Sequence, residues 1–242
     1  MERLTGQVAL VTGASRGIGR AIAERLAHDG AAVAVGYHAN RAPAEALATE
    51  LRARGGQAVA LPVDVTRHED VRRFFDDAEA RLGPATIAVA NAGTLFVRPF
   101  VEMTAEDFET GFAVNTRGTF HVFLEASRRL REGGRIIGVS TNLTRLAQPG
   151  FSLYQASKAA VEQFVMVLAK ELGPRHITVN AVSPGATETD MIAPAHHEAL
   201  AREIPLGRLA RPEDIANVVG FLASREAGWV NGQMVGANGG IV

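Results

Sequence analysis

Tyr154 and Lys158 stand four residues apart in a stretch with helical spacing, Phe151 to Leu172. That spacing puts both side chains on one helix face, a turn apart. A free tyrosine titrates near ~10 and is a poor acid or base at neutral pH. An ammonium one turn away favours the phenolate and lowers that pKa. Such a tyrosine can pass a proton to or from a substrate oxygen. A second stretch suits a phosphate-bearing cofactor. Val8 to Val11 is apolar throughout, Gly13, Gly17 and Gly19 follow, and Ile18, Ile22 and Leu26 repeat with helical spacing up to Asp29 and Gly30. A buried strand, a glycine turn and a helix open a dinucleotide site. The backbone can approach a pyrophosphate, and the helix start offers free N–H groups. The spacing is Gly-x3-Gly-x-Gly, not Gly-x-Gly-x-x-Gly, so by itself the turn could also be purely structural.

The rest of the chain must position these groups. Strands are expected at 31–35, 57–63, 86–90, 134–140, 176–182 and 233–235. Helices are expected at 43–54, 67–82, 104–131, 151–172 and 211–224. Thr104 to Asp107 reads as a cap with acidic residues in the first turn. Residues 184–210 have weak periodicity and several prolines, and read as a long functional loop. Strands alternate with helices throughout, with no repeat or linker. The expected fold is α/β: one doubly wound (Rossmann) parallel sheet of about seven strands, helices on both faces, in a single domain spanning 1–242.

Composition narrows the function. The 242 residues are 47% hydrophobic and 21% charged, ordinary for a globular protein with a full core. A formal net charge of −1 argues against nucleic acid or an anionic membrane as partner. There is no cysteine, which removes disulfides, thiolate metal sites and cysteine nucleophiles. His196-His197 has no carboxylate at ligand spacing, so no metal site is expected and the pair reads as part of a mobile lid. Met1 to Gly6 leads straight into the first strand, leaving no room for a signal peptide, and no apolar run suits a membrane span. A cytoplasmic location is the default expectation.

Six motifs occur in order: Thr12-Gly13-x3-Gly17-Ile18-Gly19, Asp64, Asn91-Ala92-Gly93, Asn115-x2-Gly118, Tyr154-x3-Lys158 and Pro184-Gly185. Together they resemble the motif set of the short-chain dehydrogenase/reductase family. The likeness runs from Leu4 to Val242 and is nearest to trihydroxynaphthalene-reductase-like and 3-oxoacyl-carrier-protein-reductase-like members. It implies a role for each position. Thr12 to Gly19, with Ser15, Arg16 and Ile18, would hold the pyrophosphate. Asp64 and Val65 would border the adenine, and Asn91 to Gly93 would support the sheet centre near the ribose. Val114 would join the cofactor site. Asn115 would hold a water in a proton relay ending at Lys158, which would also bind the ribose hydroxyls. Pro184, Gly185, Thr187 and Thr189 would line the nicotinamide, ahead of a substrate-binding loop at 186–210. Asn91 and Asn115 could instead simply satisfy buried backbone groups.

One position departs from the pattern. Relatives carry a serine 13 residues before the tyrosine; here that position is Thr141, preceded by Ser140. Threonine offers the same hydroxyl with a stiffer χ1. Thr141 is therefore taken to orient the substrate oxygen, with Ser140 as the alternative. Cofactor choice rests on the end of the second strand, where an acidic residue would accept the ribose 2′-hydroxyl of NAD. That position is Tyr37, and Arg16, His38, Asn40 and Arg41 lie around it. Arginine suits an adenosine 2′-phosphate, so NADP(H) is expected and NAD is the lesser candidate.

The expected activity is hydride transfer between NADP(H) and a ketone or secondary alcohol, in the direction of carbonyl reduction. Leu95, Phe96, Leu143, Phe151, Met191 and Ile192 are the candidate walls for an apolar, cyclic or polyketide-like small molecule. The resemblance also leaves open a 3-oxoacyl-carrier-protein reductase. Basic residues near Arg131 and Arg175 would then meet an acidic carrier protein, although Arg128, Arg129 and Arg131 also suit a helix C-terminus. A non-catalytic dinucleotide sensor is the further alternative. Surplus apolar residues on 104–131 and 151–172, such as Phe151, Val161, Phe164 and Leu168, and the tail from Trp229, match a family habit of closed homotetramers.

Overall fold

The structure is a computed structural model describing residues 4–242. The leader expectation for Met1, Glu2 and Arg3 lies outside the described residues. In chain order the elements are β1 (Val8–Val11), α1 (Gly17–His28), β2 (Ala32–Tyr37), α2 (Arg41–Ala53), β3 (Ala58–Pro62), α3 (His68–Leu82) and β4 (Ile87–Ala90). Then come α4 (Ala105–Phe112), a π-helical segment (Ala113–Arg117), α5 (Gly118–Arg129), β5 (Arg135–Val139), α6 (Ser152–Glu171) and β6 (Thr178–Pro184). The chain closes with α7 (His197–Glu203), α8 (Pro212–Ala223) and β7 (Met234–Ala237).

The seven strands form one sheet in the order β3-β2-β1-β4-β5-β6-β7, and every pairing is parallel. Parallel strands need crossovers on both faces, which accounts for their continuous apolar runs. One face buries Ile22, Leu26, Leu47, Val219 and Leu222 against the sheet. The other buries Phe74, Phe75, Val122, Phe123 and Val165. Each such side chain contributes on the order of 1.5–3 kcal/mol. Chain order reverses between β1 and β4, and the C-terminal ends of those strands leave a crevice there.

Four expectations change. The helix expected over 104–131 begins as predicted: Thr104 Oγ1 accepts the Asp107 N–H at 3.1 Å, and Asp107 accepts the Thr104 N–H at 2.9 Å. It then widens into a π-turn at 113–117 before continuing as α5. Within the 184–210 loop, α7 forms, and His197 Nε2 lies 3.3 Å from the Ile192 carbonyl. The sixth strand starts late, because His176 takes a left-handed turn at φ 54°, and it then runs on to Pro184. Val161 is in the core, not on the surface; the exposed apolar residues of these helices are Phe108, Phe120 and Val167.

Candidate active site

The glycine turn is built by close approach. A Cβ on Gly19 would sit 2.2 Å from the Gly13 carbonyl oxygen and 2.4 Å from Asn91 Nδ2, so no side chain fits. Gly13 has φ 64°, and a Cβ there would meet the Ala92 backbone at 2.9 Å. The Asn91 amide donates to the carbonyls of Thr12 and Gly13, both at 3.0 Å. The Thr12 hydroxyl accepts the N–H groups of Asn91 and Ala92 at 3.2 and 3.3 Å. Asn91 thus satisfies the backbone across the switch point and holds the turn open at the same time. Arg16 caps α1 without a side-chain hydrogen bond, leaving the first-turn N–H groups to a ligand. Ser15 is buried, and Ile18 packs on the core below. A backbone this close and a free helix start fit a dinucleotide pyrophosphate.

The adenosine end lies beyond β2. Tyr37 ends that strand, but its side chain is buried in the core. It shapes the strand end, and its phenol lies near the Arg41 guanidinium, which Glu45 chiefly and Tyr37 in addition hold above its ordinary range. His38 is exposed, 3.8 Å from Asp64 Oδ2. Asp64 Oδ1 accepts the Thr66 N–H at 2.9 Å and its hydroxyl at 2.7 Å. Burial pushes the Asp64 carboxyl up, but these bonds, with His38 and Arg67 nearby, hold it below its ordinary range. Asn40 caps α2 and Arg41 pairs with Glu45 at 2.7 Å, both at the surface. Arg16 reaches Asp190 at 3.1 Å, an exposed pair worth at most ~1 kcal/mol. That pair helps enclose a cavity of about 390 Å³ between the glycine turn and residues 188–190. Thr187 donates to the Gly185 carbonyl at 2.9 Å, and the Thr189 methyl lies 3.3 Å from where a Gly17 Cβ would stand. Pro184 and Gly185 close β6 against β7. Val65 and Val114 pack on the opposite core.

The reactive groups meet where α6 passes the end of β5. The Thr141 hydroxyl lies close enough to the Tyr154 phenol to bias its ionisation. Ser140 points elsewhere, donating to Glu162 Oε1 at 2.7 Å. Lys158 is buried, and its Nζ donates to the Val139 carbonyl at 2.8 Å. Burial lowers it to about 8. Burial also raises the Tyr154 phenol, against the nearby Thr141 hydroxyl that lowers it. The expected lowering by Lys158 is therefore not what governs Tyr154. Desolvation wins, and the phenol is held in its protonated form. The Asn115 side chain is held at both ends: Oδ1 accepts the Thr94 N–H at 2.8 Å, and Nδ2 donates to the Thr94 carbonyl and Ser157 Oγ at 2.9 and 3.0 Å. Its main-chain carbonyl accepts the Thr119 hydroxyl at 2.8 Å. A Cβ on Gly93 would stand 3.3 Å from both Asn115 Oδ1 and Lys158 Nζ.

Sequence reasoning missed Glu162 and Ser157. Glu162 lies one turn beyond Lys158 on the same face, a spacing that could have revealed it. No cluster of three or more His, Asp or Glu suited to a metal occurs among the described residues. No helix there is long and apolar enough to cross a membrane.

A glycine turn at the switch point and a protonated tyrosine beside a buried lysine define a dinucleotide-dependent oxidoreductase. Comparison with known proteins agrees. A family model described as Enoyl-(Acyl carrier protein) reductase matches residues 13–242. A short-chain dehydrogenase/reductase of Aspergillus novofumigatus is 44% identical, over 98% of this chain and 96% of its own. A hydroxynaphthalene reductase-like protein of Metarhizium robertsii is 42% identical, over 99% and 96%. The crystal structure of an angucycline C-6 ketoreductase with bound NADP superposes with a TM-score of 0.94 at 40% identity, covering 99% of this chain and 96% of that one. The chain belongs to the short-chain dehydrogenase/reductase family.

The Lys158 value gives a pH dependence. Its charge is present below about 8 and lost above, while Tyr154 stays protonated past its ordinary value. Turnover, read as kcat/KM for the reduced cofactor, should fall as pH rises through about 8. Lys158→Arg, which does not titrate there, should move that limb upward. A flat profile between about pH 7 and 9.5 would contradict the assignment.

Proposed function

We propose that this protein reduces a ketone to a secondary alcohol with NADPH. The nearness of the Thr141 hydroxyl to the Tyr154 phenol, with buried Lys158 one turn further along α6, carries the reading. The nicotinamide, when bound, supplies the hydride. Tyr154 gives its phenolic proton to the carbonyl oxygen as that oxygen gains charge. Thr141 donates a hydrogen bond to the same oxygen and fixes its place. Lys158 holds the ribose hydroxyls and stabilises the phenolate left behind. Asn115, through its carbonyl, keeps a water on the proton path to Lys158. Thr12 to Gly19 hold the pyrophosphate, and Pro184, Gly185, Thr187 and Thr189 face the nicotinamide.

The substrate proposed is a fused-ring or polyketide-like ketone, with residues 186–210 as its binding loop. Leu95, Phe96, Leu143, Phe151 and Ile192 are half-buried and Met191 is exposed, as walls awaiting an apolar ligand would be. The angucycline C-6 ketoreductase and the hydroxynaphthalene reductase-like protein point the same way. A carrier-protein substrate has less support. Arg175 donates to the Ser127 and Leu130 carbonyls at the end of α5, and Arg129 pairs with Glu125 at 2.7 Å and Asp76 at 2.6 Å. Tyr154→Phe should keep cofactor binding and lose nearly all turnover. Near-normal turnover in that variant rules the mechanism out.

Cofactor preference falls to Arg16 and its neighbours. A 2′-phosphate dianion offers the guanidinium far more than the exposed Asp190 does. A gain of ~2–3 kcal/mol from such contacts favours NADPH by roughly 30- to 150-fold. Arg16→Ala should raise KM for NADPH more than for NADH. An equal or larger kcat/KM with NADH in the unaltered enzyme sinks this reading.

A homotetramer is proposed on the exposed Phe120 and Val167 of α5 and α6, and on Trp229, which is 99% exposed. Light scattering should find four chains at micromolar concentration; a monomer would overturn it.

A further inference from the structure

β5 ends at Val139 and the Ser140 N–H makes its last bond to β6, so Thr141 to Thr144 leave the sheet without a continuing ladder. Thr141 opens that stretch, extended at φ −160° and ψ 151°. Its χ1 is stiff, so its hydroxyl goes wherever the backbone carries it. A serine could correct a small backbone error by changing rotamer; a threonine has less freedom to do so. What fixes this backbone therefore fixes the hydroxyl.

The fixing group is on α6. Glu162 shares a helix face with Tyr154 and Lys158. Its Oε1 accepts the Ser140 hydroxyl at 2.7 Å and lies 2.8 Å from the Thr144 hydroxyl, one on each side of Thr141. The Thr144 hydroxyl also lies 3.0 Å from the Thr141 carbonyl, so its one proton is shared between the two acceptors. Thr141 Oγ1 accepts the Leu143 N–H at 3.3 Å, and the Ser140 N–H donates to the Val182 carbonyl at 2.8 Å. Hydroxyl-to-carboxylate bonds are short and roughly twice as strong as neutral ones. One carboxylate oxygen thus ties both ends of the segment to the helix that carries the acid.

We propose that Glu162 is a positioning residue for the reduction, holding Thr141 in register with Tyr154. This rests on the reading of Thr141 and Tyr154 as the pair that faces the substrate oxygen. It assigns Ser140 a definite part as well, as a donor to Glu162 rather than to substrate.

The test is a double-mutant cycle on ketone reduction, with NADPH binding followed by its fluorescence. Glu162→Ala should lower kcat by ~10–100-fold through misplacement of Thr141, with NADPH affinity unchanged within about 3-fold. Glu162→Gln keeps an accepting oxygen and should stay within about 5-fold of the unaltered enzyme. Thr141→Ala should lose on the order of 10²–10³-fold. Once Thr141 is alanine nothing remains to be positioned, so adding Glu162→Ala should cost less than about 3-fold more. If Glu162→Ala does not fold, Ser140→Ala/Thr144→Val takes its place in the cycle with the same expectation. Losses that multiply would overturn the role of Glu162 and leave the site reading intact. So would NADPH affinity falling as far as kcat. A mild Thr141→Ala would sink the site reading and this proposal with it.

Discussion

Lys158 carries an ammonium into the interior with the Val139 carbonyl, 2.8 Å away, as its hydrogen-bond acceptor. An unpaired charge is costly in such surroundings, and the molecule lowers the lysine toward neutrality while supplying a dipole. The carbonyl is available because it ends β5. The ammonium reaches it because α6 runs across that strand end. Gly93 leaves space beside it, since a side chain there would press on both Lys158 and Asn115. Strand end, helix and loop are all placed by the need to bury one cation without a carboxylate.

Tyr154 shares the same dry surroundings with the opposite sign. Burial disfavours the charged form of each group, so it keeps the phenol protonated and makes the ammonium easier to discharge. Desolvation thus pulls the two groups apart in acidity and favours a neutral phenol beside a lysine ready to give up its proton. Reading only the i, i+4 spacing gives attraction between ammonium and phenolate and misses the larger effect, because depth of burial is not written in spacing.

Much else is legible from the residues. The apolar runs and glycine stops locate the seven strands, most plainly the central ones, since a strand buried on both faces cannot hide its composition. The glycine turn announces itself because close backbone contact excludes every other residue. The choice between Ser140 and Thr141 is less legible. Adjacent residues in extended chain point to opposite sides, so a register error of one reverses the answer. Only Glu162, from another element, shows which side is which. Tyr37 is legible as a position but not as a side chain. Its place at the strand end is set by the count along β2, whereas its burial depends on α2 packing over it. The acids around Arg129 come from α3 and α5, and no local pattern joins them.

The π-turn at 113–117 gives this helix an unusual relation to length. An α-helix turns about 100° per residue, so one residue more or fewer rotates everything beyond it by that much. The wide turn absorbs such a residue, letting α4 and α5 present different faces while Asn115 stays inward between them. Removing one residue here would restore regular helix and ruin the alignment. Asn115 would swing away from Thr94 and Ser157, or the α5 stripe that meets α3 and the sheet would swing out. A substitution at these positions changes one contact, whereas a deletion changes the phase of two helices together. Asn115 aside, the segment should therefore tolerate changes of residue type far better than changes of residue number.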